Sequence, residues 1–157
     1  MPKAEEIEFP FRTREELDSY LPYLLNRLSN RWSVEQNAVL SDQGISGTRM
    51  RILSCLSAHG ELTINQLSAL SVTEQSTTSR TVESLVEAGL ARRYISNEDQ
   101  RLRTVRLSAK GRRQLTAIAP TINELYQNLV TEVDGESLQV CVTVLQKILT
   151  RIRQNDI

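Results

Sequence analysis

Arg92, Arg93, Arg101, Arg103, Arg106, Lys110, Arg112 and Arg113 crowd one stretch of the chain, with only Glu98 and Asp99 of opposite sign among them. Cationic side chains at that density suit one chemistry above others, the pairing of guanidinium and ammonium groups with phosphate oxygens. The alternative is a solvated charged face. The rest of the chain does not share the excess: the first thirty residues hold four basic and six acidic groups, and residues 114–157 hold three and five. The formal net charge is therefore zero while the middle is basic, the distribution expected where one surface meets phosphate and the remainder must not.

Other chemistries lack their residues. Cys55 and Cys141 lie 86 positions apart and His59 is the only histidine, so there is neither a CxxC redox motif nor a Cys/His metal cluster. Both cysteines sit among apolar residues at helical spacing, where an unreactive packed thiol is expected; cysteine-based redox sensing is the alternative. No Gly-rich loop, Gly-x-Ser-x-Gly or paired His/Cys offers a catalytic constellation, so no enzyme, no cofactor and no metal are expected. Apolar runs are a few residues long, against the roughly 20 a spanning helix needs, so no membrane association is expected. The start, MPKAEEIEFPFRTREELDSY, has six acids and no apolar core of a signal peptide, and the expected address is the cytoplasm. At 157 residues, 39% hydrophobic and 24% charged, with 6 Gly and 4 Pro, the chain should fold as a single domain.

The elements that would carry the basic stretch follow from periodicity. Leu17, Leu21, Leu24, Leu28 and Trp32 predict a long amphipathic helix over 14–41; Pro22 requires either a start near Ser19 or a kink. After Gln43-Gly44, Ser46 caps a helix with Met50, Leu53 and Leu56 inward, ending at His59-Gly60. Thr63-x-x-Gln66 is a capping box for a helix over 63–70 that buries Leu67 and Leu70. Ser71-Val72 turns the chain, Thr73 is the next cap, and Val82, Leu85 and Val86 face inward until Ala88-Gly89. This pair is a helix-turn-helix candidate. Period two then sets in at Leu90, Arg92 and Tyr94 and again over Thr104-Val105-Arg106-Leu107, predicting a β-hairpin with a charged tip. Ser108 caps a helix to about 132 with Leu115, Ile118, Ile122, Leu125 and Leu129 as its stripe and a kink at Pro120. After Asp134-Gly135 a last helix, 136–154, carries Leu138, Val142, Leu145, Leu149 and Ile152. That makes six helices and one hairpin. Three long stripes at the chain ends suit a two-fold homodimer, with an intramolecular three-helix bundle as the alternative.

Residues 62–113 resemble the winged helix-turn-helix of the MarR (multiple antibiotic resistance regulator) family. The matching pieces are Leu62-Thr63 with Leu67 and Ala69, the run Ser76-Thr77-x-Ser79-Arg80, the exit Gly89-Leu90-x-Arg92-Arg93, and the wing Asp99-x-Arg101 followed by Val105-Arg106-Leu107-Ser108-x-Lys110-Gly111-Arg112. Leu102 and Arg103 depart from the small or aliphatic residues more usual there. The resemblance implies a mainly α fold with a small β-hairpin: a winged helix-turn-helix over 45–107 flanked by dimerisation helices at 14–41 and 109–154. It implies a homodimeric transcriptional regulator of double-stranded DNA, a repressor on a pseudo-palindromic operator.

With the recognition helix at 74–88, Gln75, Ser76, Thr77, Ser79 and Arg80 are the expected DNA contacts: Gln75 suits adenine bidentately, and Arg80 suits guanine or phosphate. Helix-start chemistry explains Ser76 and Thr77 equally well. Arg101 is expected in the minor groove, oriented by Asp99, with Arg93 and Arg103 on phosphates or simply exposed on their strands. The rival reading is a winged-helix module that docks protein, which would expose apolar residues in place of these arginines. The resemblance also implies release by a small aromatic or phenolic effector. Tyr23, Arg31, Trp32, Arg51 and His59 are the candidate lining, with Trp32 stacking a ring and an arginine taking a carboxylate. Packing in the first helix explains Trp32, and a helix end explains His59, without any ligand.

Overall fold

The computed structural model describes residues 7–95 and 103–152. These form α1 (Arg14–Ser19), α2 (Leu21–Ser41), α3 (Gly47–His59), β1 (Glu61–Thr63), α4 (Ile64–Leu70), α5 (Gln75–Glu87), β2 (Ala91–Ile95), β3 (Arg103–Leu107), α6 (Ala109–Val130) and α7 (Gly135–Leu149). They divide into two compact units, one up to Ile45 and one from Ser46 onward.

In the first unit the single helix expected over 14–41 is two. Thr13 and Glu16 form a capping box for α1, Tyr20 leaves helical geometry at φ −79° and ψ 112°, and Pro22 sits in the first turn of α2. Proline lacks the N–H that an interior helical position donates and its ring collides with the preceding turn, so the chain restarts the helix there.

The second unit is built around Ile52, Leu53, Leu56, Leu62, Leu67, Val82, Leu85, Leu90, Ala91, Val105 and Leu107. Ser46 accepts from the Arg49 N–H at 3.3 Å to start α3, and Gly60 ends it at φ 80°, a conformation that suits a residue without Cβ. The buried side of α3 is broader than the expected stripe, because Ile52 is fully buried beside Leu53. The strand β1 was not expected at all. Three residues give too little alternation to read as a strand; Leu62 earns its place only by pairing with Val105. With β1 the hairpin becomes a three-stranded antiparallel sheet ordered β1-β3-β2.

The capping box at Thr63 and Gln66 forms as expected and starts α4, in which Leu67 is buried and Leu70 half-buried. The cap of α5 differs from expectation: Glu74 holds that position without a side-chain bond. The Thr73 hydroxyl instead donates to the Ser71 carbonyl at 3.0 Å, because the turn captures it first. Val72, at φ 50°, makes the turn sharp.

Ser108 caps α6 by accepting from the Gly111 N–H at 3.0 Å, while its own N–H reaches the Leu90 carbonyl at 2.9 Å. The helix start therefore lies hard against Leu90, and a Cβ on Gly111 would stand 2.2 Å from the Leu90 oxygen. Pro120 does not end α6, which continues to Val130. Its stripe is half-buried at Leu115, buried at Ile118, and then fades through half-buried Ile122 and Leu125 to an exposed Leu129. The last helix was expected to reach 154 but stops at Leu149, with Thr150 as its cap; residues beyond 152 lie outside the described ones. Seven helices, not six, stand among the described residues, and none is long and apolar enough to cross a membrane.

Candidate nucleic-acid interface

Burial decides which side of α5 faces out. Thr78, Val82 and Leu85 are all fully buried, so the opposite side, Ser76, Arg80, Glu83 and Glu87, is presented to solvent. Arg80 and Ser76 occupy its N-terminal half and the two glutamates its C-terminal half, so only the former can approach a polyanion closely. Gln75 and Thr77 are exposed and flank this face; Ser79 is half-buried. No side-chain bond caps α5, which leaves its first-turn N–H groups available to an anion.

The helix is held in place from both sides. Its first residue is tied to α4, Gln75 Nε2 donating to Asn65 Oδ1 at 2.7 Å. Its middle is tied to α3 by a bond from Arg49 Nη2 to Ser84 Oγ. Ser68 Oγ donates to the Thr73 carbonyl at 2.6 Å and buried Ser71 Oγ to the Leu67 carbonyl at 2.6 Å, which fixes the turn between the helices. The sequence reading missed Asn65, because a lone exposed Asn near a helix start has no periodic or motif signal.

The sheet sorts the basic residues. Strand alternation puts Arg93 and Arg103 on the same face as Ala91, Val105 and Leu107, which pack on the core; both arginines are exposed beyond it. Arg92 stands on the other face with Tyr94 and Arg106. Asp99 and Arg101 fall outside the described residues.

The basic stretch is thus not one uniform phosphate surface. Arg106 is paired with Glu61 and lies over the Tyr94 ring at 5.1 Å. Lys110 Nζ donates to the Ala88 carbonyl at 2.8 Å, at the negative end of α5, and Arg112 Nη1 to the Leu107 carbonyl at 3.2 Å. These three cations hold the wing domain together, an internal use that charge counting cannot distinguish from an outward one. The Thr104 hydroxyl and then Arg106 hold the Glu61 carboxyl below the usual carboxylate range.

The candidate effector residues separate. Tyr23, Arg31 and Trp32 belong to α2, and Arg51 and His59 to α3, the latter two exposed. Nine helical residues turn through about 180° relative to the axis, so Tyr23 and Trp32 leave α2 on opposite sides and cannot wall one site within one helix. Tyr23 is covered by Arg27, whose Cζ lies 5.4 Å from the ring. Arg31 lines a shallow recess with Asn30, Val34 and Glu35 that does not include Trp32. Burial pushes the half-buried Cys55 thiol up, in keeping with an unreactive sulfur. Cys141, expected to be packed, is exposed, because α7 buries no residue among the described ones.

The sequence profile of the MarR family matches residues 45–102. A crystal structure of a MarR family transcriptional regulator from Silicibacter pomeroyi DSS superposes with a TM-score of 0.86 and 51% identity, covering 90% of this chain and 95% of that one. The chain belongs to the MarR family. MarR proteins are transcriptional regulators and not enzymes. A further neighbour, MepR of S. aureus in a DNA complex, shares the fold with a TM-score of 0.73 at 22% identity, over 87% of this chain and 99% of that one. The HTH-type transcriptional repressor IacR of Pseudomonas putida is 28% identical over 105 residues, 67% of this chain. The match spans 63% of that repressor's length.

Proposed function

We propose that this MarR family member is a sequence-specific DNA-binding repressor that acts in the cytoplasm as a homodimer on a pseudo-palindromic operator and is released by a small aromatic or phenolic ligand. Residues 45–107 read the DNA, and the helices of 14–41 and 109–149 join the two copies. The observation that carries the reading is the outward N-terminal half of α5, Ser76 and Arg80 with Gln75 and Thr77 beside them, set by the burial of Thr78, Val82 and Leu85 on the other side. That half enters the major groove, where Gln75 and Arg80 meet base edges or phosphate and the small hydroxyls let the backbone approach. Ser79 contributes from the edge of the helix. Arg93 and Arg103 meet flanking phosphates, and Arg101, oriented by Asp99, reads the minor groove.

The homodimer rests on α7. Val140, Val142, Val144 and Leu149 are exposed along it, and a helix apolar on so many sides is stable when covered. Two copies related by a two-fold axis then hold their reading helices about one DNA turn, roughly 34 Å, apart. Release by an aromatic ligand rests on the family likeness, and Tyr23, Arg31 and Trp32 of α2 and Arg51 and His59 of α3 are the side chains to be tested singly for it. IacR, a repressor, and MepR, captured with DNA, support the same reading by analogy.

The test is fluorescence anisotropy of the full chain on DNA from the region flanking its own coding sequence, with the salt concentration varied. Saturable binding to one site that is much tighter than to scrambled DNA, with log affinity falling linearly against log salt, is expected. Equal affinity for every duplex would remove sequence-specific regulation from the proposal.

A further inference from the structure

Ser76, Arg80, Glu83 and Glu87 share the outward side of α5, and the sign of the charge reverses along it. At 1.5 Å of rise per residue, Glu83 stands roughly 10 Å and Glu87 roughly 16 Å beyond Ser76 along the axis. Both glutamates are exposed, and among the described residues neither carboxylate has an ion pair or a hydrogen bond. Two cations do reach this helix, but Arg49 Nη2 donates to Ser84 Oγ and Lys110 Nζ to the Ala88 carbonyl, so neither pairs with a glutamate.

Bare carboxylates on a side that meets phosphate repel it, and how strongly depends on how the helix lies. A duplex bound without regard to sequence is held through its phosphates alone, and a helix laid along them brings Glu83 and Glu87 against the backbone. The major groove is about 8.5 Å deep and about 12 Å wide. A helix that enters it first turn foremost reaches the floor with Gln75 and Arg80, carries Glu83 only to the mouth, between the two backbones, and leaves Glu87 outside. That seating depends on base contacts, which the right sequence alone provides. The repulsion is therefore smaller in the seated complex than in the flat one.

We propose that Glu83, reinforced by Glu87, determines specificity by repulsion: it weakens sequence-blind binding more than binding to the preferred site and so widens the gap between them. The inference rests on the DNA-reading role of α5 given above and deepens it. Gln75 and Arg80 favour the right sequence; Glu83 disfavours the others.

The test is fluorescence anisotropy of the full chain on two duplexes at one salt concentration, one carrying its preferred site from the DNA flanking its coding sequence and one of scrambled sequence. Glu83→Gln removes the charge and keeps the size and helix propensity of the side chain. It should bind scrambled DNA about fivefold tighter and the preferred site less than about twofold tighter, and Glu83→Gln/Glu87→Gln should extend the difference. Asp42→Asn, which removes an exposed acid outside α5, should change neither. A rise equal on both duplexes, or no greater than that of Asp42→Asn, would overturn the proposal, because net charge alone would then explain it. A loss confined to the preferred site would also overturn it, since Glu83 would then be a base contact. A parent that binds both duplexes equally removes the DNA-reading role itself, whereas a selective parent with unaltered variants removes the repulsion alone. Glu87→Gln by itself is the second variant if Glu83→Gln lowers the thermal midpoint.

Discussion

Gln75 Nε2 lies 2.7 Å from Asn65 Oδ1, so the first residue of the outward-facing helix is oriented by the helix before it. The bond holds one of the amide's two N–H groups and leaves the carbonyl oxygen and the second N–H for a base. Gln75→Ala should cost on the order of 1 to 3 kcal/mol on the operator and relax preference at one base pair. Asn65→Ala should relax the same base pair by less, and the double variant should lose less than the two single losses added together. Anisotropy on operators carrying single substitutions decides this; equal weakening on all of them would exclude base reading by Gln75.

The two faces of the wing make opposite predictions. Arg93→Ala and Arg103→Ala, on the core-side face, should each reduce the salt slope of DNA binding by about one, and Arg101→Ala likewise. Arg92→Ala, on the face with Tyr94 and Arg106, should leave the slope unchanged. The same log–log salt titration measures all four, and a slope altered only by Arg92→Ala would reverse the assignment of faces.

The Glu61–Arg106 pair links β1 to β3 and gives stability a pH dependence of known sign. The folded carboxyl titrates below its unfolded value, so its contribution is complete above the ordinary glutamate range, about pH 4.3, and disappears as pH falls through the lowered folded value. Glu61→Gln should therefore be less stable than the parent at neutral pH, with the gap closing in acid. Urea unfolding followed across that range checks it; a gap that widens in acid would contradict the pairing.

Gly111 admits no side chain. A Cβ 2.2 Å from the Leu90 oxygen and 3.1 Å from Leu107 Cδ2 forces backbone to move, so Gly111→Ala should destabilise by about 1 to 3 kcal/mol or more despite its helical position. Elsewhere in a helix the same change is stabilising. Thermal unfolding reads the sign directly.

The apolar surface of α7 predicts assembly. Val144→Glu should shift the mass in light scattering from two copies to one and weaken operator binding with it, since each half-site is then held alone. A dimer that persists with this variant would move the interface off α7.

The elements that announced themselves in the sequence are those whose signal is local. The Thr63–Gln66 box, the Ser46 and Ser108 caps and the Ala88–Gly89 exit are short-range chemistry, legible because the bonding partner lies within three or four residues. The same holds for the outward side of α5, since 3.6-residue periodicity alone separates Val82 and Leu85 from Ser76 and Arg80. The motif around the wing was likewise sufficient to name the family.

What the tertiary structure decided depends on partners far along the chain. The strand β1 exists because Leu62 meets Val105, and Arg106 is withdrawn from the phosphate-facing set because Glu61 lies across the sheet from it, 45 positions earlier. Ser84 likewise finds its partner in Arg49, 35 positions earlier, only once α3 and α5 pack together. Charge and hydropathy along a sequence record how many cations and apolar groups there are; whether each faces inward, outward or another residue is fixed only when distant segments compete for it in three dimensions.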